Sequence, residues 1–287
     1  MEITSGRKPG PRRILIHGNH KVGKSTFATS APRAIVLNIE DGVGNIDCDK
    51  TEQLKTPMAV LEAIHWLQRE KHDYATVVVD SIDWLETGFQ TDFCAEKSVA
   101  SVTEYGGGYG KGETLIVPKW KNFLAQIDIL RTHRRMGIIF ISHTTLAKVN
   151  DAVIGMYDKY VPDIDKRALP LILEWVDDIL YAQVKIFTRQ ENTGFGNSRN
   201  LAVGGSDRVL ITGGTPGVEA GCRMAIDREI PLSWAEYAKY LPKRVESVPA
   251  PVPAPVGNIA GLVVEGSSKP KSAEHTAAMA ELSAAII

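Results

Sequence analysis

The chain has few cysteines, no dominant charge and no long apolar run, and each shortage removes a class of protein. Its three cysteines, Cys48, Cys94 and Cys222, are odd in number, widely spaced and without a CxxC pair. That argues against a disulfide-stapled secreted scaffold, and reduced, mostly buried thiols of a cytoplasmic protein are expected instead. No run of about 18 apolar residues is present to cross a bilayer, and no N-terminal apolar stretch resembles a secretion signal, so no membrane partner is expected. With 33 basic against 34 acidic residues the net charge is -1, so any nucleic-acid contact has to come from a local patch. The seven histidines, at 17, 20, 65, 72, 133, 143 and 275, show no metal-ligand spacing.

What is present is enough apolar material for a sizeable core, 44% of 287 residues, which fits one large domain or two small ones. The organising stretch is Gly18-Asn19-His20-Lys21-Val22-Gly23-Lys24-Ser25-Thr26, which fits GxxxxGK[ST]. Arg13-Ile14-Leu15-Ile16 ahead of it suits a buried strand, and the residues from Ser25 onward read as the first turns of a helix, the context the motif requires. Gly18 and Gly23 let the backbone curl so that successive N–H groups point inward as an anion nest. Lys24 adds a positive charge for the β and γ phosphates, and the Ser25 hydroxyl suits Mg²⁺, a hard ion that prefers oxygen ligands. ATP with Mg²⁺ is therefore the expected ligand, bound along Gly18, Asn19, His20, Lys21, Val22, Gly23, Lys24, Ser25 and Thr26.

Residues 1–12 read as a flexible basic arm. Residues 34–39 form a second apolar strand that ends on Glu40, and open parallel sheets place their chemistry at such strand ends. A helix is expected over 57–71. Thr76-Val77-Val78-Val79-Asp80-Ser81 has the shape of a Walker B strand, carrying Asp80 to its tip as a partner for the metal shell. The competing reading is an aspartate that caps the next helix, a task Ser81 or Asp83 could also perform.

Helix is expected over 82–97 and 119–135, separated by an irregular stretch, 98–118, centred on Tyr105-Gly106-Gly107-Gly108-Tyr109-Gly110-Lys111-Gly112. That run imitates a phosphate loop but lacks the first glycine at the right spacing, the hydroxyl residue after lysine, and a preceding strand. Residues 137–141 give a fourth buried strand ending at Ser142-His143-Thr144, followed by a second long connection, 145–166. A short helix over 167–176 precedes an antiparallel region with strands at 179–188, 201–203 and 208–212, a turn at 192–197, and a last helix over 232–241. The composition then shifts to alternating proline and alanine from Val248, so 13–244 is expected to be the folded domain and 245–287 a Pro/Ala-rich linker with a disordered tail. That tail is a candidate contact for a single-strand-binding or replication protein.

Walker A, an acid after the second strand, Asp-Ser after the third and a polar tip after the fourth resemble, in that order, the ATPase core of the RecA superfamily. Residues 12–242 are similar to phage nucleotide-binding proteins of the AAA type, a RecA-like group that includes single-strand annealing ATPases. Tyr109 to Gly112, Ser142 to Thr144 and Val176 to Tyr181 are further points of likeness.

The resemblance implies an α/β fold with a central, mainly parallel sheet flanked by helices and antiparallel strands added on the C-terminal side. It implies Glu40 as the residue that orients the attacking water, and its strand-tip position independently suits a general base. His143 would be the γ-phosphate sensor, a helix-capping or core histidine being the alternative. Arg223 would lie where related assemblies carry a basic finger for a neighbour's nucleotide, although the usual lysine is absent there. Loops after the third and fourth strands would face single-stranded DNA, with Tyr105, Tyr109, Lys111 and Lys148 as contacts, because lysines track phosphates and aromatic faces stack bases. Head-to-tail assembly into a homo-oligomeric ring or filament follows from the same likeness. Rival readings are a nucleotide-dependent scaffold or loader, a helicase-type ATPase and a small-molecule kinase.

Overall fold

The computed structural model describes residues 10–192 and 198–242. Its spine is the strand ahead of the glycine-containing loop, β1 (Arg13–Gly18), followed by α1 (Lys24–Thr29) and β2 (Ala34–Asn38). A two-residue strand β3 (Asp49–Lys50), α2 (Pro57–Arg69), β4 (Thr76–Asp80) and α3 (Ile82–Lys97) come next. A 3-10 turn at Val102–Gly107 leads into α4 (Lys111–His133), then β5 (Gly137–Ser142), β6 (Thr144–Asp151) and β7 (Gly155–Pro162). The remainder is α5 (Leu169–Trp175), β8 (Asp178–Asn192), β9 (Ser198–Ile211), β10 (Gly221–Cys222), β11 (Glu229–Pro231) and α6 (Trp234–Ala238).

The large sheet runs β11-β9-β8-β1-β5-β4-β2-β3, with β10 added on β8. From β8 to β3 every neighbour is parallel, while β9, β10 and β11 are antiparallel additions. The central strands are buried on both faces, as continuous Val/Ile/Leu runs require. Their period of two splits the core: Leu15, Leu37, Val77, Val79 and Phe140 pack with α2, α3 and α4, whereas Ile14, Ile16, Val36, Val78 and Ile141 pack with Phe27 of α1 and Tyr237 of α6. β5 sits between β1 and β4, so the tips of β1, β4, β5 and β2 open on one edge. Among the described residues no helix is long and apolar enough to cross a membrane.

Several expected boundaries move. Helix α4 begins at Lys111, eight residues before the expected start, and carries Pro118 inside it. Proline there looks like a stop, because it removes a hydrogen bond and crowds the preceding turn, but the helix continues through it. The glycines ahead of it have a packing role. Gly110, at φ 76, leads the helix in the left-handed region, and a Cβ on Gly112 would be driven into the Val102 carbonyl.

The connection expected over 145–166 is instead the β6–β7 hairpin, registered from Thr144↔Pro162 to Asp151↔Gly155. The two strands expected at 201–203 and 208–212 are one strand, β9, whose pairing with β8 shifts register between Val184 and Ile186. The last helix is five residues, not ten. The basic arm is pinned at its end: Arg131 Nε donates to the Pro11 carbonyl at 2.9 Å, and Arg12 grips the fully buried Asp178 through two hydrogen bonds. Residues 1–9, 193–197 and 243–287 lie outside the described residues, and with them most of the expected arm, the centre of the expected turn and the expected linker and tail.

Candidate functional site

Parallel strands point their carboxyl ends to one edge, so the residues just after β1, β2, β4 and β5 converge there. They line a cleft of about 360 Å³, whose walls include His20, Lys24, Ser25, Glu40, Asp80 and His143. The loop floor is closely built. A Cβ on Gly18 would be driven into the Ala182 carbonyl of β8, so only glycine lets β1 turn off at that point. Lys21 and Gly23 both take positive φ, 59 and 114, which curls the loop, and no side chain caps the first amides of α1.

Lys24 is 5% exposed, and its ammonium donates to the Gly18 carbonyl at 2.8 Å and the Asn19 carbonyl at 3.0 Å. Burial lowers its pKa, while Asp83, Glu40 and Asp80 oppose the shift. An ammonium bonded only to neutral carbonyls in a half-dry site gains when an anion arrives, which fits a phosphate.

Ser25 Oγ donates to Asp80 Oδ2 at 2.8 Å, joining the end of the loop to the tip of β4. Asp80 is 3% exposed, and burial pushes its pKa up to about 6; the Ser25 bond opposes this and the nearby Glu40 adds to it. A carboxylate destabilised by burial and by a like charge, beside a hydroxyl oxygen, suits a small divalent cation. Ser25 and Asp80 would hold Mg²⁺, which when bound would neutralise phosphate charge.

Glu40 follows β2, its N–H donating to the Asp80 carbonyl at 3.1 Å. Its Oε1 lies 3.6 Å from His143 Nε2. His143 follows β5 and is gripped by Asp83 in the first turn of α3: the main-chain N–H donates to Oδ1 at 3.1 Å and ring Nδ1 to Oδ2 at 2.7 Å. The bond to Asp83 raises the His143 pKa against the pull of burial. Burial pushes the Asp83 carboxyl upward, but the bonds and charge of His143 outweigh it and hold it below the usual range. The His20 ring tilts over His143 with centroids 4.0 Å apart.

The structure thus brings Lys24, Ser25, Glu40, Asp80 and His143 to one cleft and leaves other expected residues elsewhere. Arg223 does not line this cleft; its guanidinium bonds Asp177 Oδ1 at 3.1 Å and the Glu174 carbonyl at 2.9 Å. Tyr105 is half-buried, edge-on to Phe93 at 5.1 Å, and its ring is committed to the core. Tyr109 is 99% exposed, Lys111 donates to the Gly106 carbonyl at 2.9 Å, and Lys148 lies 3.6 Å from Asp158 across the hairpin.

Two residues lie outside the motifs: Arg208 of β9 lines the cleft beside Gly23, and Asp83, behind the cleft wall, grips His143. Asp83 has a sequence signal in hindsight: it is an acid one turn beyond the tip of a strand adjacent to β5. Arg208 has none, because an antiparallel addition brings it there.

A family model described as an AAA domain matches residues 10–224. No match to the curated proteins is found.

Proposed function

This chain belongs to the AAA domain family, and on that premise we propose that it hydrolyses ATP to ADP and phosphate while acting on single-stranded DNA, in phage-type recombination or strand annealing. Family membership points to a nucleotide-binding P-loop ATPase. The observation that carries the reading of this cleft is the Ser25–Asp80 bond, which puts the loop hydroxyl and the β4 carboxylate side by side. The loop amides and Lys24 would bind the β and γ phosphates. Glu40 would take a proton from the water that attacks the γ-phosphorus, and His143 would meet the γ-phosphate oxygens. Catalysis of this kind is mainly positioning and charge stabilisation.

Support for single-stranded DNA comes from Tyr109, Lys111 and Lys148, which lie exposed beyond α3 and β5. Assembly into a ring or filament fits Arg223, about half exposed, as a group a neighbour's nucleotide could recruit from Asp177. The test is ATP hydrolysis with and without single-stranded DNA, for the wild type and for Tyr109→Ala with Lys111→Ala and Lys148→Ala. Stimulation by DNA that disappears in the triple variant, with basal hydrolysis unchanged, is the expected result. Hydrolysis indifferent to DNA would remove the DNA part of the proposal.

A second reading, a nucleotide-dependent scaffold or loader, is favoured by one observation. The β6–β7 hairpin exposes Val153, Ile154 and Met156, and its Lys148 is balanced by Asp158, a surface better suited to protein than to phosphate.

A further inference from the structure

Asp83 turns both carboxylate oxygens to one residue, His143, while its own main-chain N–H also supports the charge. One oxygen accepts the His143 main-chain N–H and the other the ring Nδ1–H, so backbone position and ring rotation are fixed together. Asp83 lies in the first turn of α3, where an acid also favours the helix dipole, but the cap position belongs to Ser81, which makes no side-chain cap bond. The carboxylate reaches from the first turn of α3 to the residue at the tip of β5.

The grip decides what His143 can offer. With Nδ1–H committed to Asp83, a neutral ring presents a lone pair at Nε2, which would repel both the Glu40 carboxylate 3.6 Å away and any phosphate oxygen. Only the imidazolium presents N–H on that side. The groups facing the ring are Asp83 from α3, Glu40 from the end of β2, Lys24 from α1 and His20 from the phosphate loop; the two carboxylates favour the cation and Lys24 opposes it.

We propose that Asp83 is a positioning residue that acts through His143, holding it as a cationic donor aimed at the terminal phosphate of a bound nucleoside triphosphate. This rests on the reading of the cleft as a nucleotide site, and it makes Asp83 the residue that sets discrimination between triphosphate and diphosphate. A diphosphate leaves the His143 donor without a phosphate partner, so ADP affinity depends on Asp83 only through its weaker field at Lys24 and far less than ATP affinity does.

The experiment is displacement of a fluorescent ADP from the full chain, with Mg²⁺, by ADP and by a non-hydrolysable ATP analogue. Wild type prefers the analogue. Asp83→Asn loses about tenfold of that preference, the loss expected for one charge-assisted hydrogen bond, while ADP affinity is retained. Asp83→Glu restores part of it, and Asp83→Asn adds nothing in a His143→Gln background. An unchanged ratio in Asp83→Asn, or equal weakening of both nucleotides, overturns the proposal. Should Asp83→Asn fail to fold, His143→Gln alone must lose the preference, and retained preference overturns it equally. Wild type binding neither nucleotide overturns this proposal together with the nucleotide-site reading. Binding with the expected ratio but no hydrolysis removes only the ATPase reading and leaves the role of Asp83 intact.

Discussion

Ser25 and Asp80 are 55 residues apart in sequence and 2.8 Å apart in space, hydroxyl to carboxylate, although β5 separates their strands in the sheet. The contact exists because α1 leans its first turn over the β4 tip. Asp80→Asn keeps a hydrogen-bonding group there but removes the charge. It is expected to abolish the Mg²⁺ dependence of nucleotide affinity and to cut ATP hydrolysis by roughly 100-fold or more, on the scale of a lost electrostatic group in a closed site. Titration of nucleotide with and without Mg²⁺ checks this; an undiminished response to Mg²⁺ would place the metal elsewhere.

His17 gives a prediction about acid. It is fully buried, with Nε2 2.7 Å from the Glu219 carbonyl, and burial lowers its pKa from 6.5 to about 4. The unfolded chain takes up a proton below pH 6.5, whereas the folded one does so only near 4. The stability His17 contributes is therefore complete above pH 6.5 and is lost as pH falls toward 4, by roughly 3 kcal/mol in all. Thermal unfolding from pH 7 to 4.5 is expected to show a shallower decline in His17→Gln than in wild type, even if the variant starts lower. Parallel curves would mean that His17 is not the group that titrates.

The buried carboxylate of Asp178 ties together three remote pieces. It accepts from Arg12 Nε at 2.8 Å and Tyr237 Oη at 2.7 Å, and from the Arg223 N–H at 3.3 Å. Asp178→Ala strands the half-buried Arg12 guanidinium and the Tyr237 hydroxyl together and is expected to cost about 3 kcal/mol, against about 1 kcal/mol for Tyr237→Phe, which leaves the ion pair whole. Chemical denaturation of the two variants measures the difference, and equal losses would contradict it.

The features legible in sequence were those written locally. Buried strands show as apolar runs, and the phosphate loop shows because its glycines and Lys24 serve backbone geometry and charge within nine residues. Asp80 and Glu40 are readable because strand tips in a parallel sheet share one edge. The hairpin was hidden because both its faces are partly wet: Leu146 and Lys148 point the same way, so hydrophobic alternation is weak. Its turn, Asp151 to Gly155, was the usable signal, with Asp151 Oδ1 accepting the Val153 and Ile154 amides. The early start of α4 was masked by Pro118. Arg208 depends on strand order alone, and so does the pairing of Asp83 with His143, although Asp83 itself stands one turn beyond a strand tip.

The loop from Gly18 to Thr26, with Asp80, is proposed to hold the phosphates of a magnesium nucleotide. Calorimetric titration of Mg-ATP into wild type and Lys24→Ala tests it most directly. Saturable one-site binding to the wild type, weakened about 100-fold or more in the variant, is the predicted result; binding of equal strength to both proteins, or none to the wild type, would contradict it.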